Sequence, residues 1–213
     1  MKIFLARISD LLKSIDKDSF LQIHNSPNKN IESNIALLLS KYIAHIIYGI
    51  SKTEIVRIDG KPEFKYSKTH FSISHSNGII GIAFSQSPIG FDIEKIKKRN
   101  LIELSKFLNI KIDTLIDFYQ YWTIYEAKYK SGFKNSNIQS GVFEDYVFSV
   151  SALENSKMLK IYEISNPIDN TSPIELINLK LVNDSNINEI KLDIKEINTG
   201  GIEYLPPLAI KIE

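Results

Sequence analysis

Apolar positions recur at helical spacing in one long stretch of the chain. Ile35, Leu38, Leu39, Tyr42, Ile43, Ile46 and Ile47 fall at i, i+3, i+4, i+7 and i+8 and form one face of an α-helix. Asn30 or Ser33 can cap its start, and Gly49 stands where a left-handed residue ends a helix. That face reads as core. Before it, Ile3-Phe4-Leu5 reads as a short strand followed by a polar stretch to about Asn30. After it, Asp59-Gly60-Lys61-Pro62 is a turn by its chemistry. Phe71-Ser72-Ile73-Ser74 alternates like a strand and enters a polar turn, His75-Ser76-Asn77-Gly78. Ile79 to Phe84 and Ile89 to Ile93 are two more apolar strands, and the short link Ser85-Gln86-Ser87-Pro88 predicts an antiparallel hairpin between them. Helical blocks follow from about Leu101 to Leu108 and from about Asp113 to Ser131. Beyond Gly141 the chain turns β-rich, with strands expected at Val147 to Val150, Leu159 to Ile164, Ile174 to Leu181 and Leu208 to Ile212. The order of elements predicts an α+β fold of two similar halves, residues 1–88 and 89–213, each a helix on a small antiparallel sheet.

Composition narrows the partners more than the fold. The chain has 213 residues, with 26 Lys and Arg against 25 Asp and Glu, so its net charge of +1 gives no overall pull toward nucleic acid or a membrane. Any electrostatic recognition has to be local. There is no cysteine, which excludes disulfides and thiolate metal sites and suits a reducing compartment. The first residues carry Arg7, Asp10 and Lys13 and do not read as a signal peptide, and no run reaches the roughly 18 apolar residues of a membrane span. A cytoplasmic protein is the expectation.

Asp92 and Glu94 are two apart in Ile89-Gly90-Phe91-Asp92-Ile93-Glu94, so on a strand both carboxylates project from one face. Such a pair suits Mg²⁺, which takes one or two carboxylates and completes its shell with water and phosphate oxygens. It equally suits the solvent face of an edge strand. On the helix from Asp113, Glu126 and Lys130 are neighbours one turn apart, either a surface ion pair or a third carboxylate with a phosphate-binding amine. Phe118, Trp122, Tyr125 and Tyr129 form an aromatic stripe on that helix, which reads as core packing rather than a ligand box. His75, flanked by hydroxyls, reads either as part of a phosphate cradle or as a turn histidine bonded to a carbonyl. His24, His45 and His70 show no metal-ligand spacing and read as structural or surface residues. Lys95, Lys97, Lys98 and Arg99 form a basic run, either a solvated loop or a docking patch for an acidic partner.

Three ordered blocks of this sequence resemble the signature of the phosphopantetheinyl transferases. They are Phe71-Ser72-Ile73-Ser74-His75-Ser76, then Pro88-Ile89-Gly90-Phe91-Asp92-Ile93-Glu94, then Trp122-Thr123-Ile124-Tyr125-Glu126-Ala127-Lys128-Tyr129-Lys130. Gly60-Lys61-Pro62 matches a further element, and the resemblance covers roughly residues 31 to 142. The likeness is to the larger, Sfp-like class, whose single chain holds two pseudo-symmetric halves. It implies an enzyme that moves the 4'-phosphopantetheine of coenzyme A onto a serine of an apo acyl or peptidyl carrier protein. Asp92, Glu94 and Glu126 would hold Mg²⁺ on the pyrophosphate, with Asp92 and Glu126 catalytic and Glu126 as the base. His75 with Ser74 would meet the 3'-phosphate, Lys61 the adenine nucleotide and Lys130 the phosphates, while Lys41 matches a basic position of the first helix. The resemblance implies a site that a monomer can build, with no role for nucleic acid or membrane. The chain departs from the pattern at Tyr125, where the family usually has lysine, at Ser72, usually asparagine, and at Glu32, about where relatives carry arginine.

Overall fold

The computed structural model describes residues 1–14, 30–153, 159–165, 177–183, 186–197 and 202–206. In chain order these form β1 (Lys2–Arg7), α1 (Ile8–Ser14), α2 (Ile31–Tyr48), β2 (Ile55–Ile58), β3 (Lys61–Phe64), β4 (His70–Ser76), β5 (Ile79–Ser85) and β6 (Ile89–Lys95). There follow α3 (Leu101–Leu108), α4 (Leu115–Ser131), β7 (Asn137–Phe143), β8 (Tyr146–Ala152), β9 (Lys160–Ser165), β10 (Ile177–Asn183), β11 (Asn186–Glu196) and β12 (Glu203–Leu205). The fold is mixed α+β. His24 and the strand expected at Leu208 to Ile212 lie outside the described residues.

The long apolar helix forms as its pattern requires. The Asn30 side chain accepts from the Ser33 N–H at 3.1 Å, and Gly49 closes the helix in the left-handed region at φ 65°. Ile35, Leu39 and Ile43 are buried against Phe4, Phe71, Ile82 and Phe84 of the first sheet. That sheet has six strands in the order β10-β11-β9-β1-β5-β4. It is larger than the small antiparallel sheet expected and not wholly antiparallel, because β1 pairs in parallel with β9. Strands from late in the chain thus enter the sheet that the first residues begin.

β5 is buried along its whole length, and apolar up to Ser85, because both its faces are covered. Ile80, Ile82 and Phe84 meet α2, whereas Ile79 and Ala83 turn to a second core with Ile3, Leu5, Phe91, Ile93, Phe148 and Val150. This second core fills the space between the first sheet and another of order β12-β7-β8-β6. α4 packs on β6 and β8 from the far side. The hairpin expected between β5 and β6 does not form. Both edges of β5 are taken, by β1 and β4, so the link at residues 86–88 carries the chain across to the second sheet, where β6 pairs with β8. The tight hairpin is instead β4–β5, turning on Asn77 and Gly78 at φ 46° and 86°. His75 is accordingly a strand residue opposite Ile80, not part of the turn. Among the described residues no helix is long and apolar enough to cross a membrane.

Candidate functional site

Two strand edges that belong to different sheets face each other, β4 and β6, and serine side chains join them. Ser72, Ser74 and Ser76 alternate along β4 and point the same way. Ser72 Oγ accepts from the Phe91 N–H at 3.0 Å and Ser76 Oγ from the Lys95 N–H at 3.2 Å. Hydroxyls therefore satisfy the backbone donors that a third strand would otherwise cover. The same row positions the carboxylates: Ser74 Oγ donates to Asp92 Oδ1 and Ser76 Oγ to Glu94 Oε2, both at 2.7 Å. The alternation Ser72-x-Ser74-x-Ser76 was visible in the sequence, but its partner strand was not.

Asp92 is buried, and Lys130 from the last turn of α4 donates to its Oδ1 at 2.6 Å and to the Phe91 carbonyl at 3.2 Å. Asp92 Oδ2 is buried and has no hydrogen-bond partner among the described residues. An unpartnered buried carboxylate oxygen costs free energy unless something positive meets it. Glu94 is half-buried, and its pKa is raised. Desolvation is the main cause, and the Asp92 charge adds to it; the Ser76 hydrogen bond and the charges of Lys130 and Lys97 oppose it. Two neighbouring carboxylates, one with a free oxygen beyond its Lys130 and Ser74 contacts and one resisting ionisation, form an arrangement that an added cation would relieve. β6 runs antiparallel to α4. Gly90 lies against Ala127 and Ser131, Asp92 against Lys130, and the Lys97 N–H bonds the Tyr119 hydroxyl at 3.2 Å. That course carries Glu126, one turn before Lys130, alongside the Asp92–Glu94 stretch. The Glu126 side chain is partly exposed and engages no other group among the described residues.

Gly90 is required by close approach. A Cβ there would strike the Ala127 carbonyl oxygen and the Ser131 nitrogen, so α4 can sit directly on the β6 backbone only over glycine. The contact between helix and sheet is correspondingly made by small polar groups. Thr123 Oγ1 meets Ser149 Oγ at 2.7 Å and Ser131 Oγ meets Ser151 Oγ at 2.8 Å. The buried face of α4 consists of Tyr119, Gln120, Thr123, Ile124, Ala127 and Ser131. The aromatic stripe is therefore not core: Tyr125 is 46% and Tyr129 73% exposed, and Trp122 stacks on Tyr125 at a centroid distance of 6.1 Å.

Beside this seam opens a cavity of about 540 Å³. Lys61, Ser74, His75 and Lys130 all line it, with Ser72 on the wall and Tyr129 at the α4 end. The structure so brings together four of the predicted binding residues. Lys41 is not among the lining residues; its charge acts on Glu54, whose pKa is lowered chiefly by a hydrogen bond from Lys65. Ser33 to Lys41 is two helical turns, about 12 Å along the axis. Asp92 adjoins the cavity through its bonds to Ser74 and Lys130.

Ser33, Leu37, Arg57 and Glu63 also line the cavity and were not singled out in the sequence as site residues. Ser33, read only as a capping candidate, places its hydroxyl 3.2 Å from His75 Nε2. Arg57 on β2 bends round the hairpin tip, its Nη1 donating to the Gly60 carbonyl at 2.8 Å. Glu32, noted as a departure, lies with Oε2 2.8 Å from His75 Nδ1. In the basic run Lys95 pairs with Asp145 at 3.0 Å, while Lys97, Lys98 and Arg99 are exposed. His70 pairs with Glu63 at 3.2 Å, and His45 contacts the Ile50 carbonyl at 3.2 Å, both consistent with structural roles.

Among the described residues no group of three or more His, Asp or Glu side chains is gathered closely enough to hold an ion by protein ligands alone. Mg²⁺ does not require such a cage, since it keeps waters and substrate oxygens in its shell. Compared with known proteins, the chain matches no family model, and no curated protein is significantly similar to it.

Proposed function

We propose that this chain is a Mg²⁺-dependent 4'-phosphopantetheinyl transferase, acting in the cytoplasm on coenzyme A and an apo acyl or peptidyl carrier protein. The observation that carries the reading is the buried, unpartnered Asp92 Oδ2 beside Glu94, next to a cavity lined by Lys61, His75 and Lys130. The three signature blocks meet at that one place, although they are distant in sequence and lie on β4, β6 and α4. α2 with the first sheet and α4 with the second are read as the two pseudo-symmetric halves of the Sfp-like class.

Asp92, Glu94 and Glu126 are the residues that would hold the ion. When bound, Mg²⁺ neutralises pyrophosphate oxygens and so lowers the cost of charge built up on the leaving group. The chain's own groups do the rest. Lys61 and Lys130 supply fixed positive charge to the phosphates, and the cavity wall orients the nucleotide. The carrier serine hydroxyl attacks the phosphorus that bears the pantetheine arm; its proton passes to Glu126, and the P–O bond to 3',5'-adenosine bisphosphate breaks. Ser74 and Lys130 hold Asp92 in one rotamer, which pre-sets the site before substrate arrives.

Mass spectrometry of an apo carrier protein incubated with this chain, coenzyme A and Mg²⁺ tests the reading. A gain of one phosphopantetheine on the serine is the expected result. Asp92→Ala and Glu126→Gln should abolish the gain while circular dichroism stays native, and wild-type turnover in either variant would refute these roles. A second reading, a relative that binds coenzyme A or a carrier protein without efficient transfer, is favoured by one contact, the Glu32 carboxylate on His75. Coenzyme A binding with no mass gain on any of several carriers would select it. A P-loop or dinucleotide-type phosphoryl enzyme is a poor alternative, since the chain has no G-x-x-x-x-G-K-[ST] and no G-x-G-x-x-G.

A further inference from the structure

Ser33, His75 and Glu32 stand in line as a nucleophile, a base and a carboxylate that orients the base. Ser33 Oγ lies 3.2 Å from His75 Nε2, and His75 Nδ1 lies 2.8 Å from Glu32 Oε2. An ionised carboxylate only accepts hydrogen bonds, so Glu32 keeps the proton of the neutral ring on Nδ1 and leaves the Nε2 lone pair to the Ser33 hydroxyl. Serine is a weak nucleophile until a base within hydrogen-bond reach takes its proton, and that base works best when a third group sets its tautomer.

Regular elements rather than loops hold all three. Glu32 and Ser33 are neighbours in the first turn of α2, and His75 lies on β4 opposite Ile80. Serine hydroxyls often bond the nearby backbone, but here Asn30 caps the helix by accepting from the Ser33 N–H, and the Ser33 hydroxyl turns to His75. Ser33 and His75 line the cavity of about 540 Å³, whereas Glu32 does not. The nucleophile and the base are thus open to a bound molecule, while the orienting carboxylate needs only the other nitrogen of the ring. Ser33 also stands at the positive end of the α2 dipole, which favours negative charge developing on an attacked carbonyl oxygen. With Glu63 paired to His70 and Lys130 to Asp92, Arg57 and Lys61 outnumber Asp59 on the rest of the wall.

We infer that Ser33, His75 and Glu32 form a serine-hydrolase centre that cleaves small esters carrying an anionic group. The inference does not rest on the transferase reading. Ser33 Oγ attacks the ester carbonyl, and its proton passes to His75 Nε2. The bond to the alcohol breaks as His75 returns that proton to the departing oxygen, leaving the acyl group on Ser33. Water then attacks with His75 as base and the acyl–Ser33 bond breaks, so that ester and water become acid and alcohol with no other reactant. Glu32 touches no substrate and is a positioning residue. Its side chain is 38% exposed, so solvent screens its hold on the imidazolium and its loss costs less than loss of the base.

Two measurements on the intact chain in EDTA test this, since the step uses no metal. One maps the adduct of a fluorophosphonate by mass spectrometry; the other compares hydrolysis of 3-carboxy-4-nitrophenyl acetate with that of 4-nitrophenyl acetate. Wild type should be labelled on Ser33 and should favour the anionic ester about tenfold or more in kcat/KM. Ser33→Ala should abolish both reactions, and His75→Ala should slow labelling about 100-fold or more. Glu32→Gln should lower kcat about tenfold with KM unchanged, and Glu32→Asp about threefold or less. Wild-type labelling should speed up between about pH 5 and 8, where histidine loses its proton, and His75→Ala should lose that rise. Absence of a label on wild-type Ser33 overturns the inference without recourse to any variant, as does ester hydrolysis that survives Ser33→Ala. A Glu32→Gln chain that melts earlier yet is labelled at the wild-type rate also overturns it, leaving Glu32 as an anchor for the start of α2. Equal rates on the two esters overturn the anionic class of substrate. The transferase reading stands in every case, because its assay needs Mg²⁺ and a carrier protein.

Discussion

α2 and α4 are both long, properly capped helices packed on a sheet, yet they bury opposite kinds of surface. α2 buries Ile35, Leu39, Tyr42 and Ile43 under the first sheet, so the helix axis stands off from the strands by the width of branched side chains. α4 buries Gln120, Thr123, Ala127 and Ser131, rests on the backbone at Gly90, and leaves Tyr125 and Tyr129 to solvent. The first contact is made by hydrophobic area, the second by close approach and paired hydroxyls. Only the second brings a lysine from a helix end onto a strand carboxylate, as Lys130 on Asp92. α2 brings polar groups to the site only from its first turn, through Glu32 and Ser33 on His75, whereas α4, laid against the strand backbone, brings its last turn onto the buried carboxylate.

Four substitutions would break or sharpen this contrast. The largest effect is expected from Ile43→Ala on α2, fully buried in an apolar cluster, at about 3–4 kcal/mol in a denaturant melt. Gly90→Ala should cost α4 about 3 kcal/mol, because the new methyl meets backbone that cannot rotate away. An effect below about 1 kcal/mol would mean that α4 can lift off the strand. Glu94→Gln tests the electrostatics beneath α4. The folded pKa of Glu94 is raised above its ordinary value of 4.5, chiefly by desolvation, so stability linked to this group is full below about pH 4.5 and is lost as pH rises through the raised value. Metal-free Glu94→Gln should therefore be more stable than wild type at pH 7 and indistinguishable from it near pH 4. The smallest effect belongs to Tyr129→Ala on the exposed stripe, within about 0.5 kcal/mol. A loss comparable to that at Ile43 would show the stripe to be packed after all.

The same contrast explains what could be read from the chain. α2, with its i, i+3, i+4, i+7 pattern and its Asn30 and Gly49 caps, was legible because hydrophobic periodicity reports burial against an apolar surface. The aromatic stripe of α4 misled because size and apolarity do not show which face a helix turns inward when the opposing surface is glycine and serine. The β5–β6 link also misled. Its length fits a hairpin, but β1 and β4 occupy both edges of β5, and β1 comes from over seventy residues earlier. At the site, the residue types at Asp92, Glu94, His75 and Lys130 were readable from the three blocks. Their geometry was not, because the Ser74 and Ser76 bonds cross between sheets and the Glu32–His75 contact spans 43 positions.

The parallel pairing of β1 with β9 has a consequence for how the chain is made. Lys2 is matched to Lys160, so one edge of β1 has no partner until residue 160 has left the ribosome. At roughly 5–20 residues per second that interval is on the order of ten seconds or more. In its later part, once Ser85 has emerged, β1, β5 and β4 can assemble on α2 with an open, apolar strand edge at Ile3, Phe4 and Leu5. An edge of that kind is a template for pairing with another chain. Synthesis halted between β8 and β9 would thus release a product carrying β4, β6 and α4, and so every side chain of the candidate site, yet prone to self-association, and the late strands act as a cover that arrives last.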